Sequence, residues 1–215
     1  MYLAIFGTLI EYFQKGGFVM WPLLLCSIIG VAFVIERGIY YHRLPMDINL
    51  LFTYVRDKLL RKDLKGAMDD ASQYGGPLGN IIKAGLLRFG RNHEEILRAI
   101  ESVALHEVSK LERGLWVLAT IANIAPILGF LGTVTGMINS FKVLSLQSFT
   151  DPRLVAAGIS QALITTATGL IIAFPIQFAY NYFSNKLNNF TLLMETSAAM
   201  LLEIFSEMEE EKEEK

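Results

Sequence analysis

The residues of this chain that could act on an ion lie in two apolar stretches, PILGFLGTVTGMINSF at 126–141 and AGISQALITTATG at 157–169. In the first, Gly129, Thr133, Gly136 and Ser140 recur at helical spacing on one face. In the second, Gly158, Ala162, Thr165 or Thr166, and Gly169 repeat the pattern. Small residues let helix backbones approach closely, and a hydroxyl in hydrocarbon seeks a partner on another helix or in water. Both seams therefore turn toward protein or a lumen, away from lipid. Two uses stay open. The seams could line a pore wall, with Thr133, Thr165, Thr166 and Ser140 as its polar groups. Or they could serve hairpin packing alone, each threonine bonding its own helix and Gly132-x-x-x-Gly136 acting as a close-approach motif.

What these stretches lack also constrains the chemistry. No Asp, Glu, Lys, Arg or His lies between Trp116 and Phe141 or between Val155 and Phe183. Proton relays and ion-coupled pumps need an ionisable group within the membrane, so any titrating carboxylate must come from another polypeptide. Pro126 and Pro175 each remove a backbone hydrogen bond inside an apolar segment, leaving a hinge or a tolerated bend. Outside the membrane no enzyme site emerges. His42, His93 and His106 lack metal-ligand spacing, and Glu95, His106 and Glu107 read as solvated helix surface. Phosphate loops and Ser-His-Asp constellations are missing. Cys26 is the single cysteine and sits in an apolar run, which excludes an intrachain disulfide, a CxxC pair and a cysteine-rich zinc site.

The elements that must position these residues are membrane helices. With 215 residues, 53% of them hydrophobic, and a mean hydropathy of +0.40, the chain is more apolar than a soluble domain, whose apolar share is roughly 45–50%. The net charge of −2 and the absence of an aromatic and arginine platform exclude nucleic acid as a partner. Three stretches can cross about 30 Å of hydrocarbon: 18–35, 115–141 and 154–183. Most lysines and arginines fall between the first two spans, with Arg37, Arg43, Lys110 and Arg113 crowding the membrane, whereas the second turn holds only Lys142 and Arg153. The positive-inside rule places segment 36–114 in the cytoplasm, the loop 142–153 and the N-terminus outside, and segment 184–215 inside. The opening MYLAIFGTLIEYFQKGG has no basic n-region and is broken by Glu11. It reads as a retained amphipathic interfacial helix over 1–17.

The cytoplasmic segment is predicted helical: a charged helix from Arg56 to Ala71 ending near Gly75-Gly76-Pro77, then one from about Leu78 to Phe89. Asn92 followed by Glu95 signals a capped start. From there apolar spacing and the absence of proline before Pro126 predict one helix of about 50 residues continuing into the second span. The third span continues past Leu187, Leu192, Met194 and Leu201 toward the acidic tail EMEEEKEEK, read as solvated. The fold class is all-α, an integral membrane protein of three spans with long cytoplasmic helical extensions. With the outer turn centred on Gln147, a rise of about 1.5 Å per residue brings Thr133 and Thr166 to within about 8 Å of one level.

At these residues the chain resembles a known family. APILGFLGTVTGMINSF and GISQALITTATGLIIAFPIQFAYNYF look like the second and third membrane segments of the ExbB/TolQ/MotA family, stator subunits of motors driven by proton motive force. GGFVMWPLLLCSIIGVAFVIER is similar to the first segment of the ExbB and TolQ branch. Flagellar stator subunits have four spans, so three favour that branch. The resemblance implies a homopentamer around a central pore in the inner membrane, with the N-terminus periplasmic. The pore would enclose the single-span helices of two ExbD- or TolR-like subunits, whose aspartate takes up and releases the ion. A TonB- or TolA-like protein would receive the work. No cofactor and no enzymatic activity are implied. Thr133 in LGTVTG and Thr166 in ALITTATG match the family's pore threonines, and Pro126 and Pro175 match its prolines. Many members carry glutamate where this chain has Gln161, which can hydrogen-bond but cannot titrate; by resemblance it joins the pathway positions. The competing reading is a three-span scaffold or permease subunit.

Overall fold

The structure is a computed structural model describing residues 2–45, 47–146 and 152–213. Every regular element among them is a helix, eight in all: α1 (Tyr2–Gly16), α2 (Met20–His42), α3 (Ile48–Leu60), α4 (Leu64–Tyr74), α5 (Gly76–Leu86), α6 (His93–Glu112), α7 (Leu115–Leu146) and α8 (Pro152–Glu213). Three helical stretches are long and apolar enough to cross a membrane, and each overlaps one of the three stretches expected from sequence. The outer turn around Gln147 and the last residues of the acidic tail lie outside the described residues.

Two compact units divide the chain. The first comprises residues 1–38 and 114–182, the second 39–113 and 183–215. In the first unit α2, α7 and the first part of α8 pack around Val19, Met20, Leu23, Ala125 and Ala173, with Phe13 of α1 against the same cluster. Gly30 gives α2 a gap that accepts the Ile176 side chain of α8, with Ile121 of α7 beside it at 3.7 Å from a Cβ placed there. The outward faces stay apolar. Phe130, Ile171, Phe174 and Phe178 are all exposed, a surface that suits lipid or another apolar helix and not water. Pro126 and Pro175 lie inside α7 and α8, which continue through both.

The second unit has a conventional apolar core. Leu51, Val55 and Leu59 of α3, Ile81, Ile82 and Leu86 of α5, Ile100 and Leu111 of α6, and Phe190 and Leu201 of α8 are buried. Tyr41 stacks on Phe183 with ring centres 5.5 Å apart and donates its hydroxyl to the Leu111 carbonyl at 3.1 Å. Buried Glu107 accepts from Asn80 Nδ2 at 3.1 Å and Lys110 Nζ at 2.7 Å. The bond to Asn80 ties α6 to α5 and supplies the partners that a desolvated carboxylate needs.

Two expectations about helix continuity are corrected. The charged helix expected from Arg56 to Ala71 is two helices. Lys62 sits at φ 60°, and Asp63 caps α4 by accepting from the Gly66 amide at 2.9 Å. A left-handed residue followed by an N-cap ends one helix and starts the next without proline. The helix expected to run about 50 residues from Asn92 is likewise interrupted. Asn92 does cap it, accepting from the Glu94 amide at 3.3 Å, but α6 ends at Glu112 and α7 begins at Leu115. Gly114 between them takes φ +86°, the left-handed region that glycine enters at little cost.

Candidate functional site

The two seams meet. In the first unit α7 and α8 run antiparallel with their small residues interleaved along the contact. A Cβ added to Gly129 would lie 3.0 Å from the Thr165 carbonyl oxygen, one on Gly136 2.7 Å from the Gly158 carbonyl oxygen, and one on Gly169 3.2 Å from Gly129 Cα. One on Gly132 would run into the Thr165 side chain, and one on Gly158 into the Ser140 hydroxyl. All five seam glycines are thus positions where backbone or side chain of the opposite helix occupies the space a side chain would need. Such contact supplies dispersion energy, which must hold helices together where lipid tails are as apolar as leucine.

The hydroxyls divide into two groups. Thr165 has no exposed surface and donates to its own helix, with oxygens of Gln161 and Ala162 at 3.1 and 2.9 Å. Ser140 is also buried; its hydroxyl lies 3.2 Å from the Gly136 carbonyl and 3.2 Å from that of Val155 across the hairpin. Within a single chain these two hydroxyls are held between α7 and α8, the packing use that the sequence left open beside a pore wall. Thr133 and Thr166 are only half-buried. Thr133 donates to the Phe130 carbonyl at 2.6 Å, whereas Thr166 crosses to the Gly129 carbonyl of α7 at 3.1 Å. Thr166 thereby sits one turn from Thr133 in the register of the hairpin, and both keep surface that a further helix or water can reach.

Gln161 does not point into the seam. Its amide donates to the Gly16 carbonyl at the end of α1, at 3.4 Å. Beside it a recess of about 560 Å³ opens at the end of the unit where α1 meets the hairpin, lined by Lys15, Asn139, Ser140, Ser160 and Gln161 among others. Sequence reasoning did not mark Lys15, Asn139 or Ser160 as site residues. Each stands beside another polar residue, Gln14, Ser140 or Gln161, and what unites them is a contact between segments far apart in the chain. Lys15 pairs with Glu11 at 2.7 Å on the exposed face of α1, which raises the lysine and lowers the glutamate from their ordinary values.

Pro126 is half-buried and Pro175 exposed. Neither lies in the seam itself; each frees the carbonyl four residues before it, that of Ala122 or Ile171. Among the described residues no group of His, Cys, Asp and Glu could hold a metal ion, and the hairpin carries no ionisable residue along its seam. The arrangement can pack tightly, present two hydroxyls to a neighbour, and offer nothing that titrates.

Comparison with known proteins accords with this geometry. Residues 73–196, which contain both seams, match the MotA/TolQ/ExbB proton channel family. A protein of Methanothermobacter thermautotrophicus named as a putative biopolymer transport protein ExbB homolog is 31% identical over 86% of this chain and 66% of its own length. ExbB-like protein 3 of Synechocystis is 34% identical over 93% of the chain and 98% of its own length. The Tol-Pal system protein TolQ of Pseudomonas aeruginosa is 37% identical over 49% of the chain and 51% of its own length. With more than half its residues in the family match, and a relative aligned over more than nine-tenths of each chain, the chain belongs to the MotA/TolQ/ExbB proton channel family.

Proposed function

We propose that this chain is the stator and ion-channel subunit of a motor driven by an ion motive force, assembled as a homopentamer around two copies of a single-span, ExbD- or TolR-like partner. The observation that carries the reading is the pair of half-buried hydroxyls, Thr133 and Thr166, standing on a close-packed hairpin free of ionisable groups. Five hairpins around an axis would make a wall of glycine, alanine and threonine. Such a wall stabilises a neutral carboxyl and penalises an ionised one, because no fixed cation offsets the desolvation.

A partner aspartate in this lumen would be protonated from the outer side and release its proton inward. Which hairpin it faces would be coupled to its protonation state. The membrane potential supplies about 2.3 kcal/mol per charge per 100 mV, enough to bias each step. Five subunits around two cannot satisfy both symmetries at once, which makes relative rotation a natural step. The work would pass through a TonB- or TolA-like protein to an envelope transport process, from a plasma membrane in which the N-terminus faces the periplasm and the C-terminus the cytoplasm.

A non-motor scaffold or permease subunit is the second reading. It is favoured by the hydroxyls of Thr165 and Ser140, which find their hydrogen-bond acceptors within the hairpin of one chain. Native mass spectrometry of the detergent-solubilised chain separates the two, run alone and then with a co-expressed single-span protein carrying a membrane aspartate. The motor reading expects five copies that gain two of the partner; a monomer or dimer indifferent to the partner supports the scaffold.

A further inference from the structure

The elbow between α1 and α2 is fitted against α8. Gly16 ends α1, and its carbonyl is one of the last four in that helix, without an intrahelical donor. The donor it receives is Gln161 Nε2, from 145 residues away. Gly17 follows at φ +74°, and a Cβ there would fall on the Gln161 amide nitrogen and 3.4 Å from its carbon. One on Gly16 would strike the Met20 side chain and lie 3.6 Å from Ile164, one turn along α8. Two adjacent glycines, one of them left-handed, thus let the backbone come down onto the turn from Gln161 to Ile164. Phe13, a turn earlier in α1, closes the contact on the apolar cluster of α2, α7 and α8.

We propose that Gln161 is a latch, a positioning residue whose side-chain amide holds the α1–α2 elbow to the third span and makes α1 move with α8. The amide suits this task because it donates at every pH. A carboxylate at the same place would present only acceptors to the Gly16 carbonyl and would donate only when protonated. The charged group lining the recess beside Gln161 is Lys15 of α1, which is paired with Glu11 on the same helix. From α7 and α8 the same recess receives Asn139, Ser140 and Ser160, none of which titrates near neutral pH. The inference goes beyond the motor reading and does not depend on it, since it concerns how α1 is held whether or not an ion passes the hairpin.

The test attaches a nitroxide to the single cysteine of Q14C in a C26S background and reads its mobility by electron paramagnetic resonance in liposomes at pH 4.5 and 9.5. Gln14 is exposed on the last turn of α1, so the label reports docking without entering the contact. The parent should be immobile at both values. Q161L should shift the ratio of docked to free α1 toward free by about fivefold at both, the scale of one neutral hydrogen bond. Because Lys15 lines the same recess and is able to pair with a carboxylate at 161, the glutamate variant is made with K15Q. K15Q alone should stay immobile, and K15Q with Q161E should be immobile at low pH and mobile at high pH, reversibly in one sample. That reversibility separates a latch from general misfolding. A Q161L spectrum equal to the parent's, or a K15Q/Q161E spectrum that ignores pH, overturns the proposal.

Discussion

At the residue scale, function and packing use the same atoms differently, and two substitutions pull them apart. Thr166→Val keeps the shape of the side chain and removes the hydroxyl that reaches the Gly129 carbonyl. A neutral hydrogen bond is worth about 0.5–1.5 kcal/mol net, so the hairpin should survive and the assembly remain intact. If Thr166 faces a lumen, proton flux into liposomes carrying the chain and its partner should fall to background, as read by a pH-sensitive dye; undiminished flux would remove Thr166 from the pathway. Gly136→Ala does the opposite. Its new methyl would lie 2.7 Å from the Gly158 carbonyl oxygen and 3.0 Å from Ala162 N, atoms of a backbone that cannot turn aside. Overpacking of this kind costs about 1–3 kcal/mol, and the thermal midpoint in detergent should drop before any transport is measured. An unchanged midpoint would mean the two helices are looser at this level than the contact distances imply.

At the scale of elements, the chain breaks its helices with left-handed residues, and this decides what the sequence could reveal. The apolar spans and the two seams were legible because hydropathy and the spacing of small residues are local, repeated signals. The break at Lys62 was not, because lysine carries no expectation of φ 60°; only the following Asp63, in retrospect an N-cap, marks it. Gly114 was passed over because a lone glycine in a helical pattern is usually tolerated. Its role follows from its surroundings: a Cβ there would lie 3.1 Å from both Arg37 Nε and the Phe33 ring. Gly90 has a similar dihedral, φ +81°, with nothing within 4 Å. The pair therefore separates conformational strain from crowding. Gly90→Ala should cost only the left-handed penalty of about 1–2 kcal/mol, and Gly114→Ala should cost more, read as thermal midpoints of the two variants side by side. Equal losses would show that the Arg37 and Phe33 side chains simply move away. The contact of Gln161 with Gly16 had no local signal at all, since its partners are 145 residues apart and one of them is a backbone carbonyl.

At the scale of the whole molecule, the two units differ in what they can tolerate around them, and that difference bears on the orientation proposed for the chain. The first unit turns Phe130, Ile171, Phe174 and Phe178 outward and has no charge between residues 116 and 141 or 155 and 183. The second buries a core of large apolar side chains and collects most of the lysines and arginines. A transmembrane segment orients so that flanking cations stay on the cytoplasmic side. Arg37, Arg43, Lys110 and Arg113 flank the first two spans within the segment that joins them, whereas on α1 the cation Lys15 is already paired with Glu11. The expected topology therefore has the second unit inside and α1 outside. Two exposed positions test it in the C26S background: Q14C on α1 and Q73C on α4. In sealed right-side-out vesicles a membrane-impermeant maleimide should label Q14C at once and reach Q73C only after detergent is added. Labelling of Q73C in the sealed vesicles would invert the orientation. It would also remove the proton path proposed above, because the partner carboxyl would then load from the side on which it is meant to discharge.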